Sequence, residues 1–422
     1  MDDKLINLID KYDFNKTVNF TRNLLKIKSL SGQEKEVVDL CIKAGNDFGF
    51  NESYADEYGN YIGKIVLGNG KGKKIVLTGH LDTVYADINQ WNTETPPYEG
   101  IVKDNKIYGR GASDMKGQFA TMFTAAAYLK QCNLPLNGEI YIVGTVVEEL
   151  FEGVCFLEAL KKIKPDYIIV GEATDGKINV AQRGRAEILI TVFGFSKHAS
   201  VGRTTINAIE QTAYIIDAFH RWYKSEAVEL LGRRNIVPTD IKIPVGGGGG
   251  LDGRGGNSTV PNKVELTYDV RTIPGDTEES IIKLIKDNLS IVVENGKRKY
   301  PNFKDPDIRF ASDKCVTYTG ITIEQNKFAP AWKTEKDAEI VKKAISGLES
   351  AGIRPELGAY SFCTDGSAII NYGKLFPSSN CQIIGYGPSK ESLAHTVNEY
   401  IEIDDMKAGF KGYIGIASQL LK

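Results

Sequence analysis

The stretch Ile75-Val76-Leu77-Thr78-Gly79-His80-Leu81-Asp82-Thr83-Val84 decides how this chain is read. Its first three residues are a short apolar run of the kind a buried strand shows. Gly79 lets the backbone leave that strand tightly. In extended backbone, residues i and i+2 point the same way, so the His80 imidazole and the Asp82 carboxylate can converge on one cation. The chain has only four histidines. Two more stand in marked settings: His198 in Gly194-Phe195-Ser196-Lys197-His198-Ala199-Ser200, and His395 in Leu393-Ala394-His395-Thr396-Val397-Asn398-Glu399. The fourth, His220, sits in a helical pattern outside any motif and reads as structural.

Outward from the His80 stretch, helix and strand signals alternate. Ser31-x-x-Glu34 has the form of a capping box opening a helix through about Phe48. Strands are expected at Tyr61–Leu67, Lys74–Thr78, Glu139–Val147 and Tyr167–Val170, with helices at Gly117–Lys130 and Cys155–Lys162. That order predicts an α/β sheet with helices on both faces. The middle of the chain differs. Strands at Ala186–Val192, Val264–Thr272, Ile308–Ala311 and Thr317–Ile323, with helices at Asn207–Tyr223 and Glu278–Leu289, suit a small α+β sandwich with one sheet under two helices. Between them lie Gly246–Gly250, Gly253, Gly255 and Gly256, either a plain flexible loop or a mobile segment near a site. Alternation resumes after Ala329-Pro330-Ala331-Trp332, through Asp337–Ser346 and Gln382–Gly385, so the small domain reads as an insertion in the larger one.

Composition narrows the classes. A chain of 422 residues exceeds one ordinary core and predicts two domains. With 42% hydrophobic and 25% charged residues it reads as a soluble globular protein. A formal charge of -2 supplies no reason to expect nucleic acid or a membrane surface as partner. The start, Met1-Asp2-Asp3-Lys4-Leu5, lacks the apolar core of a signal peptide. Six scattered cysteines without a CxxC pair read as reduced thiols, which predicts a cytoplasmic location.

Acids recur at strand ends. Glu148-Glu149 follows one apolar run, and Glu172 follows Ile168-Ile169-Val170-Gly171. Asp114 lies in Gly109-Arg110-Gly111-Ala112-Ser113-Asp114-Met115-Lys116-Gly117, just before a helix, where a lone Asp is most often a cap. Adjacent acids after a strand are usually a solvated turn. The shared placement is what changes the reading, because open α/β sheets collect ligands beyond the carboxyl ends of their strands. Mixed imidazole and carboxylate donors suit zinc, cobalt or manganese better than calcium. Two such ions about 3.5–4 Å apart can share a carboxylate and a water, with one spare acid to move the water's proton.

These motifs, in this order and over nearly the whole chain, resemble the dinuclear zinc amidohydrolase and peptidase family of acetylornithine deacetylase, succinyl-diaminopimelate desuccinylase and glutamate carboxypeptidase. The branch linked to selenium metabolism is the most similar. The resemblance implies a mixed-sheet α/β catalytic domain over 1–183 and 328–422, and an inserted ferredoxin-like α+β domain over 184–327 serving as dimerisation element and lid. It implies that His80 and His395 are terminal ligands of two zinc ions, with cobalt or manganese as substitutes. Asp114 would bridge the ions, Glu149 would join His395, and Glu172 would join His80. Glu148 would be the general base, and Asp82 the acid that orients the His80 ring. A mild departure is Val147, where the family usually has an acid before the Glu pair.

For the insert, the resemblance implies that His198 reaches the partner subunit's site in a homodimer, and that Asn257 and Arg271 bind substrate. Taken alone, these three read as a surface His, a turn Asn and a strand-edge Arg. Thr364, in Cys363-Thr364-Asp365-Gly366-Ser367, matches the family's substrate loop, with Cys363 where many members have Gly. The implied activity is hydrolysis of an N-acyl amino acid, or alternatively of a dipeptide, a peptide's carboxyl-terminal bond or an N-carbamoyl amino acid. Glu172 argues against the dedicated carbamoylase branch, which has a His there. The rival outside enzymology is a dimeric binding protein that keeps the fold; it would be expected to have lost Glu148 or a ligand.

Overall fold

The structure is a computed structural model describing residues 3–250, 254–299 and 302–422. The chain divides into two compact units. One comprises residues up to Gln182 with Lys314–Ile323 and Trp332–Lys422; the other comprises Arg183–Asp313 and Glu324–Ala331.

The first unit is built on a nine-stranded mixed sheet. The strand Lys73–His80 runs parallel to Gly138–Thr145 on one side and to Tyr167–Val170 on the other. Gln382–Gly385 continues the parallel set beyond Tyr167–Val170. Tyr61–Leu67 adds antiparallel to Gly138–Thr145, and Glu52–Ala55 pairs with it at the margin. Side chains of the central strand alternate between two cores. Ile75 and Leu77 join the large cluster of Phe119, Phe123, Ile414 and Leu420, whereas Val76 joins Phe156, Leu160 and Ile168 on the other face. Burial on both faces explains why the strands are apolar runs rather than alternating ones.

Register then fixes the site. His80 lies opposite Thr145, and Thr78 lies opposite Val170. The segments that follow each strand, carrying His80–Asp82, Glu148–Glu149 and Glu172, therefore leave the sheet along one edge, the carboxyl edge of its parallel strands.

The second unit has the order β-α-β-β-α-β: Gly184–Phe193, Ala208–Trp222, Asn235–Lys242, Lys263–Thr272, Glu278–Lys299 and Asp307–Phe310. Its antiparallel sheet runs Asn235–Lys242, Lys263–Thr272, Gly184–Phe193, Asp307–Phe310, with Phe328–Ala329 also on Gly184–Phe193. That is the ferredoxin-like arrangement. Leu266, Tyr268 and Val270 alternate inward and meet Ile215, Phe219, Ile281 and Ile285 from the helices.

Several sequence expectations need correction. The helix opens at Lys35, and the capping box is not made. Instead the Ser31 hydroxyl donates to Asp82 and Glu34 accepts from the Gly32 amide. The strand at Gly138 ends at Thr145, because Val147 is left-handed with φ of 62°. Thr317–Ile323 is largely a turn between Ser312–Val316 and Thr322–Asn326. Tyr318 donates from that turn to the Gly59 carbonyl, so residues 314–323 group with the first unit and interrupt the insert expected over 184–327. The helix from Glu278 continues ten residues past Leu289, to Lys299, since Val292, Val293 and Gly296 remain buried. The edge strand Asn235–Lys242 escapes sequence reading because Pro238 sits in it; the register shifts between Pro238 and Asp240, where an edge tolerates it.

Phe123 is fully buried against Phe20, Phe50 and Tyr61. Phe123→Ala is expected to cost the first unit ~3–5 kcal/mol, read as a lower urea midpoint at unchanged slope.

Candidate metal centre

His80 ends the central strand, and its ring is 1% exposed. Its Nδ1 lies 2.8 Å from the Asp82 backbone carbonyl, which fixes the N–H there and leaves the Nε2 lone pair pointing the other way. That lone pair faces acids: Asp114 Oδ1 at 2.9 Å, Glu172 Oε1 at 3.3 Å and Glu148 Oε2 at 3.9 Å. A lone pair and several carboxylates cannot share such a space unless a proton or a cation lies between them.

The same holds on the other side of Asp114. His395 Nε2 lies 3.2 Å from Asp114 Oδ2 and 3.1 Å from Glu149 Oε2. Two donor triads result, His80-Asp114-Glu172 and Asp114-Glu149-His395, with the donor atoms of each within 4.8 Å of one another. They share Asp114, one oxygen per side. This nitrogen and oxygen set fits zinc, cobalt or manganese, and one shared carboxylate fits a pair of ions. His80, Asp114 and Glu172 could hold one ion; Asp114, Glu149 and His395 could hold the second.

Protonation follows from the same crowding. Burial pushes the carboxyl of Glu148 well above its usual range, that of Glu172 up to about 7, and that of Glu149 upward. Asp114 is also pushed up by burial, but hydrogen bonds to His395 and His80 outweigh this and hold it below its usual value. Hydrogen bonds to Asp114 and Glu149 raise His395 to about 10. Burial opposes a charged His80, yet the charges of Glu148 and Glu172 and the Asp114 hydrogen bond raise it well above normal. The pocket is short of positive charge, which divalent cations would supply.

Around the triads, buried acids grip the backbone. The Asp82 carboxylate lies close to the His80 ring, its Oδ1 3.7 Å from Nδ1. The carbonyl of Asp82 makes the ring contact, and its carboxylate accepts from the Glu148 and Glu149 amides and from Ser31. Glu34 accepts from the Val147 amide, just before the Glu pair. Asp365 accepts from the Thr145 hydroxyl and the Gly153 amide. Glu399, fully buried, accepts from Arg110 and from the amides of Gly111, Ser113 and Asp114. Sequence reasoning gives no role to Arg110, Asp365 or Glu399, and gives Glu34 only that of a capping-box residue. Each lies within a stretch singled out for another reason, which is the one available signal.

The remaining candidates are not members of the triads. Thr364 is wholly buried, donating to Gln182 Oε1 at 2.5 Å and accepting from the Gly366 amide at 3.0 Å. Its hydroxyl is thereby hydrogen-bonded within the fold. His198, Asn257 and Arg271 belong to the second unit. His198 is exposed on a short strand paired with Thr259–Val260, its Nδ1 beside Ser200. Asn257 is exposed, and the Arg271 Nε lies 2.8 Å from Asp269.

Paired His/carboxylate triads beside a mixed α/β sheet are suited to holding metal. The model of peptidase family M20/M25/M40 matches residues 76–419, and the chain belongs to that family. It is therefore a metal-dependent hydrolase of the amidohydrolase and peptidase type. Its relatives include the YgeY protein of Escherichia coli K12, 28% identical over 90% of this chain and 88% of that one. The acetylornithine deacetylase of Buchnera aphidicola from Schizaphis graminum is 28% identical over 81% of this chain and 79% of that one. Among solved structures, the YXEP protein of Bacillus subtilis, a dinuclear metal-binding peptidase of the M20 family, superposes with a TM-score of 0.66 at 14% identity, covering 97% and 98% of the two chains.

Without Asp114, two cations at this spacing would repel with little to offset them. Asp114→Ala is expected to lose at least one ion per chain, measured by elemental analysis after purification without chelator, and nearly all turnover with it.

Proposed function

We propose that this protein hydrolyses the amide bond of an N-acyl amino acid, in the manner of a deacetylase or desuccinylase. The observation that carries the reading is Asp114 between His80 and His395, at 2.9 and 3.2 Å, with the buried acid Glu148 3.9 Å from the His80 ring and outside both triads. The deacetylase name of the Buchnera relative supports the substrate class.

When bound, two zinc ions, or cobalt or manganese in their place, would polarise the amide carbonyl and lower a water's pKa from ~15.7 toward ~7. Glu148 takes a proton from the attacking water as the C–O bond forms. It then delivers that proton to the nitrogen as the C–N bond breaks, releasing a carboxylic acid and the free amino acid. Arg271 and Asn257 bind the substrate's carboxylate, for which a guanidinium offers two parallel donors. His198, presented by the partner in a homodimer, donates to the oxyanion. Six free cysteines support a cytoplasmic location, and no helix among the described residues is long and apolar enough to cross a membrane.

A panel of N-acetyl, N-succinyl and N-carbamoyl amino acids and dipeptides, assayed with added zinc or cobalt, tests the substrate class. Fastest turnover of an N-acetyl or N-succinyl amino acid supports the proposal; a clear preference for dipeptides replaces it with a dipeptidase.

Glu148→Gln is expected to keep both ions and lower kcat by ~10²–10⁴. Metal loss in this variant would exchange the roles of Glu148 and Glu149.

His198→Ala should bind metal normally and lose about 10²–10³ in kcat, the effect of a missing oxyanion donor. Mixing it with Glu148→Gln tests the partner contribution. In a mixed dimer one site would carry both lesions and the other neither, so random exchange should restore about a quarter of wild-type activity. No recovery after verified exchange would rule out action across the dimer.

A further inference from the structure

The two triads are supported in different ways. On the His80 side, the ring is buried at the end of the central strand and locked by the Asp82 carbonyl. On the other side, the His395 side chain is 51% exposed. It stands on a loop in which both His395 and Asn398 have φ of 59°, a region non-glycine residues seldom occupy. Burial of its ring does not hold such a residue; something else must.

Glu399 and Arg110 are the groups in position to do so. Glu399 ends that loop and is fully buried. Its Oε1 accepts from the amides of Ser113 at 2.7 Å and Asp114 at 2.9 Å; its Oε2 accepts from Arg110 Nη1 at 2.6 Å and the Gly111 amide at 3.2 Å. Both carboxylate oxygens are thus committed to the turn that carries Asp114. Arg110, itself buried, lies 5.6 Å from the Trp91 ring centroid and reaches back with Nη2 to the His395 carbonyl at 3.4 Å. The loop's far side is tied by Asn398, which accepts from the Asn92 amide at 2.8 Å. A closed circuit results: Asp114 turn, Glu399, Arg110, His395. Its two ends are the donors that face each other across the second triad.

We propose that Arg110 and Glu399 are a positioning pair that fixes His395 relative to Asp114 and so sets the affinity of the second ion. The inference rests on the two-metal reading above. Neither side chain belongs to either triad. Removing the Glu399 charge would leave three buried amides with a poorer acceptor and free the Asp114 turn to shift. Shortening Arg110 to a single ammonium would prevent it from serving Glu399 and the His395 carbonyl together.

The test is zinc titration of metal-stripped protein against a competing chromophoric chelator, with circular dichroism to verify folding. Wild type, Glu399→Gln, Arg110→Lys and His395→Ala are compared, the last marking which binding step belongs to the His395 side. The expected result is a loss of about 10–100-fold in affinity at that step in both pair variants, with the other step within about threefold of wild type. Equal weakening of both steps would make the pair a general stabiliser and overturn the proposal, as would unchanged binding at both. Should Glu399→Gln fail to fold, Arg110→Lys decides alone, because it keeps the positive charge and all three backbone donors on Glu399. Wild-type protein that binds fewer than two zinc ions would instead overturn the two-metal reading, and this inference with it.

Discussion

Asp114 faces two imidazole nitrogens at once, and most of the first unit can be read as the means of keeping it there. Three further carboxylates, Glu148, Glu149 and Glu172, crowd the same buried space. Placing like charges together away from water is costly unless opposite charge offsets them. Without cations, the pocket can reduce that cost only by taking up protons, and the upward shifts of Glu148, Glu149 and Glu172 show that tendency. A site that collects acids at such cost is arranged for metal, which supplies the charge and releases the protons.

The fold provides the positions through one feature, the shared carboxyl edge of parallel strands. His80, the Glu148–Glu149 corner and Glu172 leave neighbouring strands on the same side. They then turn through backbone conformations that the strands do not impose, such as the left-handed Val147. Several turns around the site are gripped by buried acids that accept main-chain amides. Asp82 holds the Glu148–Glu149 corner, Glu34 holds Val147, and Glu399 holds the Asp114 turn. An ionised carboxylate is a strong acceptor for amides. Burial makes each of these contacts expensive to lose, which is why a set of them can hold ligands in place.

The second unit follows a separate logic. Its alternating strand Lys263–Thr272 and two amphipathic helices form an independent core, and the residues it contributes to the proposed chemistry lie at its surface. His198 and Asn257 are exposed, and Arg271 is engaged with Asp269. They are suited to meet a substrate or a second chain, and their roles are chemical only in that company.

Much of this was readable in the chain itself. The apolar runs at Ile75–Leu77 and Tyr167–Val170 mark strands buried on both faces, and the alternation around them marks the α/β class. The His and acid motifs, each at a strand end, bring the candidate ligands to notice because period and position are local properties. What the chain could not disclose depends on contacts between distant residues. Ser31 and Glu34 resemble a capping box until Asp82 and Val147 compete for them across the fold. Thr364 stands in a loop motif, and nothing local shows that its hydroxyl donates to Gln182, far away in sequence. Arg110 and Glu399 are 289 positions apart, and no local pattern relates them. Sequence by itself determined which backbone segments form and which side chains are chemically suited to metal. Tertiary structure decided which acid faces an imidazole and which grips an amide, because that choice is made by three-dimensional neighbours competing for the same hydrogen bonds.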